Sequence, residues 1–148
     1  MLVFAATPEE TQAVEAWIVE RVPHMHGGTF GVCVAAGVVR DGAMAAGVVF
    51  HDWQPEYGTL QLSMAADTPR WAAPAVLRGL FRYAFVTAGA NKLWTATPHT
   101  NARALKFNHG IGMKQEATLR HHFGPKSHAV ICSLLKSEWP KRFGGTRG

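Results

Sequence analysis

Two valine-rich runs, Phe30–Arg40 and Ala43–Trp53, are separated by nothing but Asp41-Gly42. A two-residue connection suits a hairpin turn whose central residues both take positive φ, and Asp-Gly is among the pairs that tolerate this best. The two runs therefore read as adjacent antiparallel strands. Thr59–Met64 follows and alternates, with Leu60, Leu62 and Met64 on one face and Thr59, Gln61 and Ser63 on the other, the pattern of a third strand. A three-strand meander commits the first half of the chain to a sheet, and the remaining elements must pack on it.

Ahead of the meander, Met1–Ala6 is a short apolar strand candidate. Thr7-Pro8-Glu9-Glu10 reads as a helix start, with Thr7 as N-cap, Pro8 at the first helical position and Glu10 closing a capping box. Val14, Trp17, Ile18 and Val22 continue at helical spacing until Pro23, and His24–Thr29 reads as a loop. In the second half, Leu77, Leu80, Phe81, Ala84, Phe85 and Ala88 predict a helix over Ala72–Ala88. Lys92–Thr97 is a strand and Thr100–Asn108 a short helix closed by Gly110 and Gly112. Met113–Phe123 and His128–Trp139 read as two long strands joined by Gly124-Pro125-Lys126. The expected order is β-α-β-β-β-α-β-α-β-β in one domain, residues 1–140, with Lys141–Gly148 as a basic, Gly-rich and disordered tail.

With 148 residues, 47% hydrophobic and 17% charged, the chain is long enough to bury a core without staples. No basic region precedes an apolar one at the N-terminus, and the apolar runs are too short for a membrane span, so a cytoplasmic protein is expected. Cys33 and Cys132 both sit in apolar strand-like segments and are expected as buried free thiols. The net charge of +5 is unevenly spread: residues 1–69 hold two Arg against eight carboxylates, and residues 70–148 hold thirteen Lys/Arg against Glu116 and Glu138. An anion is expected to meet the second half. A nucleic acid, a membrane surface and a phosphorylated cofactor all satisfy that charge.

The junction between Thr59–Met64 and the following helix reads Arg70-Trp71-Ala72-Ala73-Pro74-Ala75. A helix N-terminus offers unpaired N–H groups and the positive end of the dipole, and small residues let a phosphate reach the backbone. An ordinary capped helix has the same composition, so the junction alone does not decide.

The order of elements, this junction and the stretch that follows resemble the GCN5-related N-acetyltransferases. In that family a Gln/Arg-x-x-Gly-x-Gly/Ala segment opens the helix after the fourth strand, and Arg70, Ala73 and Ala75 occupy those offsets, with Ala73 replacing the first Gly. Asn101-Ala102-Arg103-Ala104, then Gly112-Met113-Lys114-Gln115-Glu116-Ala117 and Leu119-Arg120, is similar to the family's N-x-x-A…G-F-x-x-E-G-x-x-R signature. It most resembles the branch of ribosomal-protein N-terminal acetyltransferases with its small phage and prophage members. The resemblance covers nearly the whole chain. It implies an α/β fold with a mixed, mostly antiparallel, twisted sheet of about seven strands and three to four helices.

The resemblance also implies acetyl-CoA as co-substrate, an amine acceptor (a small molecule or a protein N-terminus), no metal, and room for a homodimer. The pantetheine arm would lie between the fourth and fifth strands against Met64, Ala65 and Ala66, with Asn101 on the far wall. Arg70, Trp71, Ala72, Ala73 and Ala75 would hold the pyrophosphate. Phe107 stands where many members place a Tyr that protonates the departing thiolate, and Phe has no proton to give. Direct attack by the amine needs a base rather than a nucleophile. His51, Asp52 and Glu56 around the third-strand turn, and Ser63 as a water-positioning hydroxyl, are the candidates; each is also an ordinary surface or strand residue. Trp53, Tyr57 and Trp71 are candidates to hold a substrate or to pack. The histidine pairs His24/His26 and His121/His122 lie far apart and complete no zinc set, and the latter pair is expected to straddle a strand. The competing readings are a coenzyme A-binding or protein-binding module without catalysis, favoured by Phe107 and by the absence of a carboxylate from Thr59–Met64, and a nucleic-acid-binding domain, which has the charge but no recognition motif.

Overall fold

The computed structural model describes residues 1–22 and 30–146, so the expected Pro23 helix stop, the His24–Thr29 loop and the His24/His26 pair fall outside the described residues. One seven-stranded sheet runs in the order β1-β2-β3-β4-β5-β7-β6. Its strands are β1 (Leu2–Phe4), β2 (Cys33–Arg40), β3 (Ala43–Gln54), β4 (Thr59–Ala66), β5 (Lys92–Pro98), β6 (Lys114–Leu119) and β7 (Ala129–Leu135). Three α-helices, α1 (Pro8–Arg21), α2 (Pro74–Arg82) and α3 (Ala102–Gly110), complete the expected order. Every neighbouring pair is antiparallel except β4 and β5.

The meander forms for the reason its turn suggests: Asp41 and Gly42 have φ of 53° and 79°, as a tight hairpin between right-twisted strands requires. The alternation of β4 sends Leu60 and Leu62 into the larger core, with Val48 and Phe50 of β3 and Leu77, Leu80 and Phe81 of α2. Leu105 and Phe107 of α3 pack on that same core. Val49 and Ala65 point the other way, onto Val14 and Ile18 of α1. The sheet therefore has α2 and α3 on one face and α1 on the other. Gly47 is required here, because a Cβ on it would come within 2.9 Å of Ile18.

Several boundaries differ from expectation. Thr7 Oγ1 accepts the Glu10 N–H at 3.1 Å, but the Glu10 carboxylate returns to the Ala6 N–H at 2.7 Å, one residue before the cap. The helix expected over Ala72–Ala88 starts at Pro74, behind a separate 3-10 turn over Pro69–Trp71, and passes into a π-helical turn over Tyr83–Thr87. The last two strands are shorter than expected. His121 and His122 consequently lie in the turn after β6 and do not straddle a strand.

The expected disordered tail is ordered through the described residues. Lys141–Phe143 forms a 3-10 turn, Phe143 is only 7% exposed beside Phe81, and the Trp139 indole N–H donates to the Phe143 carbonyl at 2.8 Å. The tail thus closes the core over α2. Cys33 and Cys132 are free and lie on strands four places apart in the sheet. Among the described residues no helix is long and apolar enough to cross a membrane. Phe143→Ala is expected to cost about 3 kcal/mol of unfolding free energy in a urea titration; a disordered tail would leave the midpoint unchanged.

Candidate functional site

The parallel pairing of β4 with β5 is short. Thr59, Leu60 and Gln61 pair with Lys92, Leu93 and Trp94, and then the two strands run on to Ala66 and Pro98 unpaired with each other. Each keeps its other neighbour to the end, since Ala66 still pairs with Ala46 of β3, and Pro98 with Ala129 of β7. A wedge opens between them at their carboxyl ends.

Strand alternation fixes which backbone groups line it. The Gly58 carbonyl accepts from Asn91 and Lys92, so its backbone faces β5, whereas the Asp67 N–H donates to the Ala45 carbonyl at 2.9 Å and faces β3. Met64 and Ala66 therefore turn their N–H and C=O groups into the wedge. Ala65 does not: it pairs with Gly47 of β3 and packs on the α1 side, which corrects its expected place among the wedge-lining residues.

Just past Ala66 the chain makes the turn that precedes α2. The Arg70 N–H goes to Thr68 Oγ1 at 3.2 Å, the Trp71 N–H to the Thr68 carbonyl at 3.4 Å, and the Arg40 guanidinium, from the β2–β3 hairpin, takes the Arg70 carbonyl. Helix α2 has no side-chain cap. The Val76 and Leu77 N–H groups both fold back to the Ala73 carbonyl, and those of Ala72, Ala73 and Ala75 have no acceptor among the described residues. Ala73, Pro74 and Ala75 are exposed, as is the Arg70 side chain, so these donors open to solvent beside a positive charge. Trp71 is 4% exposed and packs at a tilt against the half-buried ring of Phe107, centroids 5.1 Å apart, which makes it a packing residue that ties the turn to α3.

On the opposite wall, Asn101 caps α3, its Oδ1 accepting the Ala104 N–H at 3.1 Å, and its amide group remains for other partners. Asn108 was not foreseen. It is 3% exposed, and its Nδ2 donates to Thr95 at 3.2 Å and Thr97 at 3.3 Å, fastening α3 to the wedge-side strand. Its signal in the sequence is a lone amide on the apolar side of a helix.

The apex of the wedge carries a polar row on the α1 face. His51, Gln61, Trp94 and Ser133 are successive cross-strand partners, so their side chains share that face. His51 Nε2 lies 2.8 Å from Ser63 Oγ, which joins two of the sequence candidates. Burial holds the His51 pKa below the ordinary imidazole value, against a smaller upward pull from Asp52, so the ring is neutral at pH 7. The Phe30 ring packs at a tilt against His51, centroids 5.1 Å apart, and Glu15 of α1 accepts the Phe30 N–H at 3.1 Å. Trp94, half-buried beside Gln61, is a second residue that sequence reading passed over. Burial, with Glu15 adding to it, raises the Cys33 thiol pKa and keeps it protonated.

The remaining candidates lie elsewhere. Glu56 is exposed in the β3–β4 turn, beyond the paired strand ends Gln54 and Thr59 on the closed side of the apex, with Trp53 and Tyr57 near it in the sequence. Asp52 is exposed and holds the Gln54 amide at 2.9 Å. Arg21 clamps the end of α1 to the end of β4 by two bonds to Asp67, of 2.7 and 3.1 Å, and this pair holds the Asp67 carboxyl below its usual pKa. Among the described residues no group of three His, Cys, Asp or Glu side chains is arranged to hold a metal ion. The charge asymmetry becomes spatial: α1 carries Glu9, Glu10, Glu15 and Glu20, whereas α2 and α3 carry Arg78, Arg82, Arg103 and Lys106 and no carboxylate.

Solved acetyltransferase structures share this fold. One, designated only as an acetyltransferase, is 17% identical and superposes with a TM-score of 0.72 over 93% of this chain and 94% of that one. A spermidine N-acetyltransferase SpeG chimera from Vibrio cholerae and hSSAT is 12% identical, with a TM-score of 0.71 over 93% and 97%. The fold is that of the GCN5-related N-acetyltransferases. A provisionally named acetyltransferase from T. thermophilus is 24% identical with a TM-score of 0.64; the match covers 76% of this chain and 64% of that longer one. No protein-family model and no curated relative matches the sequence. At these identities the likeness establishes the fold. Within it, Asn108→Ala is expected to cost about 1–3 kcal/mol in chemical denaturation, since it leaves two buried threonine hydroxyls without their donor; an unchanged midpoint would mean the amide is dispensable.

Proposed function

We propose that the chain is an acetyl-CoA-dependent N-acetyltransferase that transfers an acetyl group to a primary amine, at a peptide N-terminus or on a small molecule. The observation that carries this reading is the β4–β5 wedge, whose one edge offers the backbone of Met64 and Ala66 and whose mouth meets the uncapped start of α2. The residues fit an extended amide-bearing arm ending in a pyrophosphate: strand groups for the arm, and Arg70 with the N–H groups of Ala72, Ala73 and Ala75 for the phosphates. Asn101 supplies a donor from the far wall, and Phe107 an apolar surface.

Bound acetyl-CoA supplies the activated acetyl thioester that the amine attacks, with the coenzyme A thiolate as leaving group. The protein's own work is positioning, proton removal and charge stabilisation. The pyrophosphate turn lies on the α2/α3 side, so the acceptor approaches the apex from the α1 face, where the carboxylates of α1 favour a cationic amine. There the neutral His51 takes the ammonium proton through the Ser63 hydroxyl, and the Met64 N–H is placed to stabilise the oxyanion. Phe107 gives no proton to the thiolate, which is protonated by another group or by solvent. The SpeG structures are named for acetylation of spermidine, and polyamines belong in the acceptor panel beside peptide N-termini, aminoglycosides and amino acids.

A second reading, a coenzyme A-binding module without turnover, is favoured by Phe107 and by the absence of a carboxylate from Thr59–Met64. Coenzyme A release across the amine panel separates the two. Turnover is expected, with kcat falling as pH drops through a value below the ordinary imidazole pKa, because a depressed histidine keeps its base form down to that point. His51→Ala is expected to lower kcat about 100-fold and to remove this transition. Copurified coenzyme A with no turnover on any amine would establish the module reading instead.

A further inference from the structure

Three histidines that the site does not use meet at the mouth of the wedge. His99 follows β5, His128 precedes β7, and His121 lies in the turn between β6 and β7. His99 Nδ1 accepts the His128 N–H at 3.1 Å, and His128 Nδ1 accepts the His121 N–H at 3.0 Å. The His99 N–H returns to the His128 carbonyl at 2.8 Å. The rings touch in series at a tilt, His99 and His128 with centroids 4.7 Å apart at 39° and His128 and His121 5.3 Å apart at 41°.

The chemistry of these contacts is strict. An imidazole nitrogen accepts a hydrogen bond only while it carries no proton, and in the imidazolium both nitrogens are donors. Both backbone bonds therefore require neutral rings. Among the described residues, a protonated His99 Nδ1 would find near it the His128 carbonyl at 3.4 Å, which already takes the His99 N–H. No carboxylate relieves the charge. Arg120 acts on His128 with a like charge, and His122 and Lys126, its neighbours along the turn, are likewise cationic or cationic in acid. After Asp67 the sequence holds only Glu116 and Glu138, paired with Lys92 and Lys114. His121 itself has a φ of 55°, a left-handed conformation that costs a non-glycine residue about 1 kcal/mol and is held here by its bond to His128.

We propose that His99, His128 and His121 form a proton-operated latch, which pins the β6–β7 turn to the end of β5 while the imidazoles are neutral and frees it when they are protonated. Pro98 pairs with Ala129 at the carboxyl end of β5, the end at which the wedge opens, so the latch sets the order of one lip of that mouth. Burial, with His99, His121 and Arg120 adding their charges, lowers the His128 pKa. The sign follows: with the folded-state value depressed, the latch contributes its full stability above the ordinary imidazole pKa and loses it as pH falls through the depressed value. The consequence for cofactor binding rests on the acetyltransferase reading; the latch itself does not.

Amide hydrogen exchange of His121 and His128 in the ligand-free protein tests the latch directly. After correction for intrinsic rates, protection is expected to be flat above about pH 7 and to fall by about tenfold per pH unit in acid. His99→Asn with His128→Asn keeps an acceptor oxygen near each Nδ1 position without a titrating group and is expected to hold protection at pH 5. The alanine pair is expected to be unprotected throughout. Wild-type protection that ignores pH, or that matches the alanine pair at pH 8, overturns the latch. Coenzyme A affinity, followed in parallel, is expected to weaken in acid for wild type and not for the asparagine pair. Affinity that stays level or rises in acid overturns control of the mouth, whereas an absence of binding at every pH counts against the acetyltransferase reading and leaves the exchange result standing.

Discussion

Everything at the site depends on the parallel pairing of β4 and β5 stopping at Gln61 and Trp94. Two neighbouring strands do not part without cause, because each exposes a row of backbone donors and acceptors when they do. Here each is held more firmly by other partners. β4 stays with β3 as far as Ala66, and its end is tied to α1 by the Arg21–Asp67 pair and to β3 by the bond from Asp67 to Ala45. β5 stays with β7 as far as Pro98, and Asn108 fastens it to α3 through Thr95 and Thr97. Sheet twist then separates two strands that have no reason to follow each other.

The wedge also divides the protein's chemistry. Because α1 packs on one face and α2 and α3 on the other, the acidic residues of α1 and the basic residues of α2 and α3 lie on opposite sides of the sheet. An anionic donor and a cationic acceptor can therefore approach the same apex from opposite sides without competing for the same field. The neutral His51, placed on the acidic side and bonded to Ser63, sits where a proton must leave.

Much of this was legible in the sequence because the signals were local. Asp41-Gly42 set the first hairpin, and the alternation in Thr59–Met64 set which face of β4 is buried. The pattern of residues puts the start of α2 too early because Ala72 and Ala73 are good helix formers; Pro74 forces the residue before it out of the helical region, and Ala73 accordingly has a ψ of 149°. The joining of His51 to Ser63 depends on cross-strand register, which a bulge between His51 and Gln54 adjusts and which no local pattern reports. The tail misleads by composition: its Gly and basic residues hide Trp139 and Phe143, four apart and closing on each other. Asn108 and Trp94 escape a sequence reading for a related reason, since their importance comes from what a distant strand presents to them.

The most direct test of the account is the backbone of β4 itself. When coenzyme A is added, amide exchange across Met64, Ala65 and Ala66 should change with the period of the strand. Met64 and Ala66 face the wedge and should gain protection, while Ala65, already paired with Gly47, should stay as it was. That alternating pattern would show the arm lying along β4 as a surrogate strand. Unchanged exchange at Met64 and Ala66 in the presence of bound coenzyme A would contradict it, because the ligand would then lie outside the wedge on which the whole reading rests.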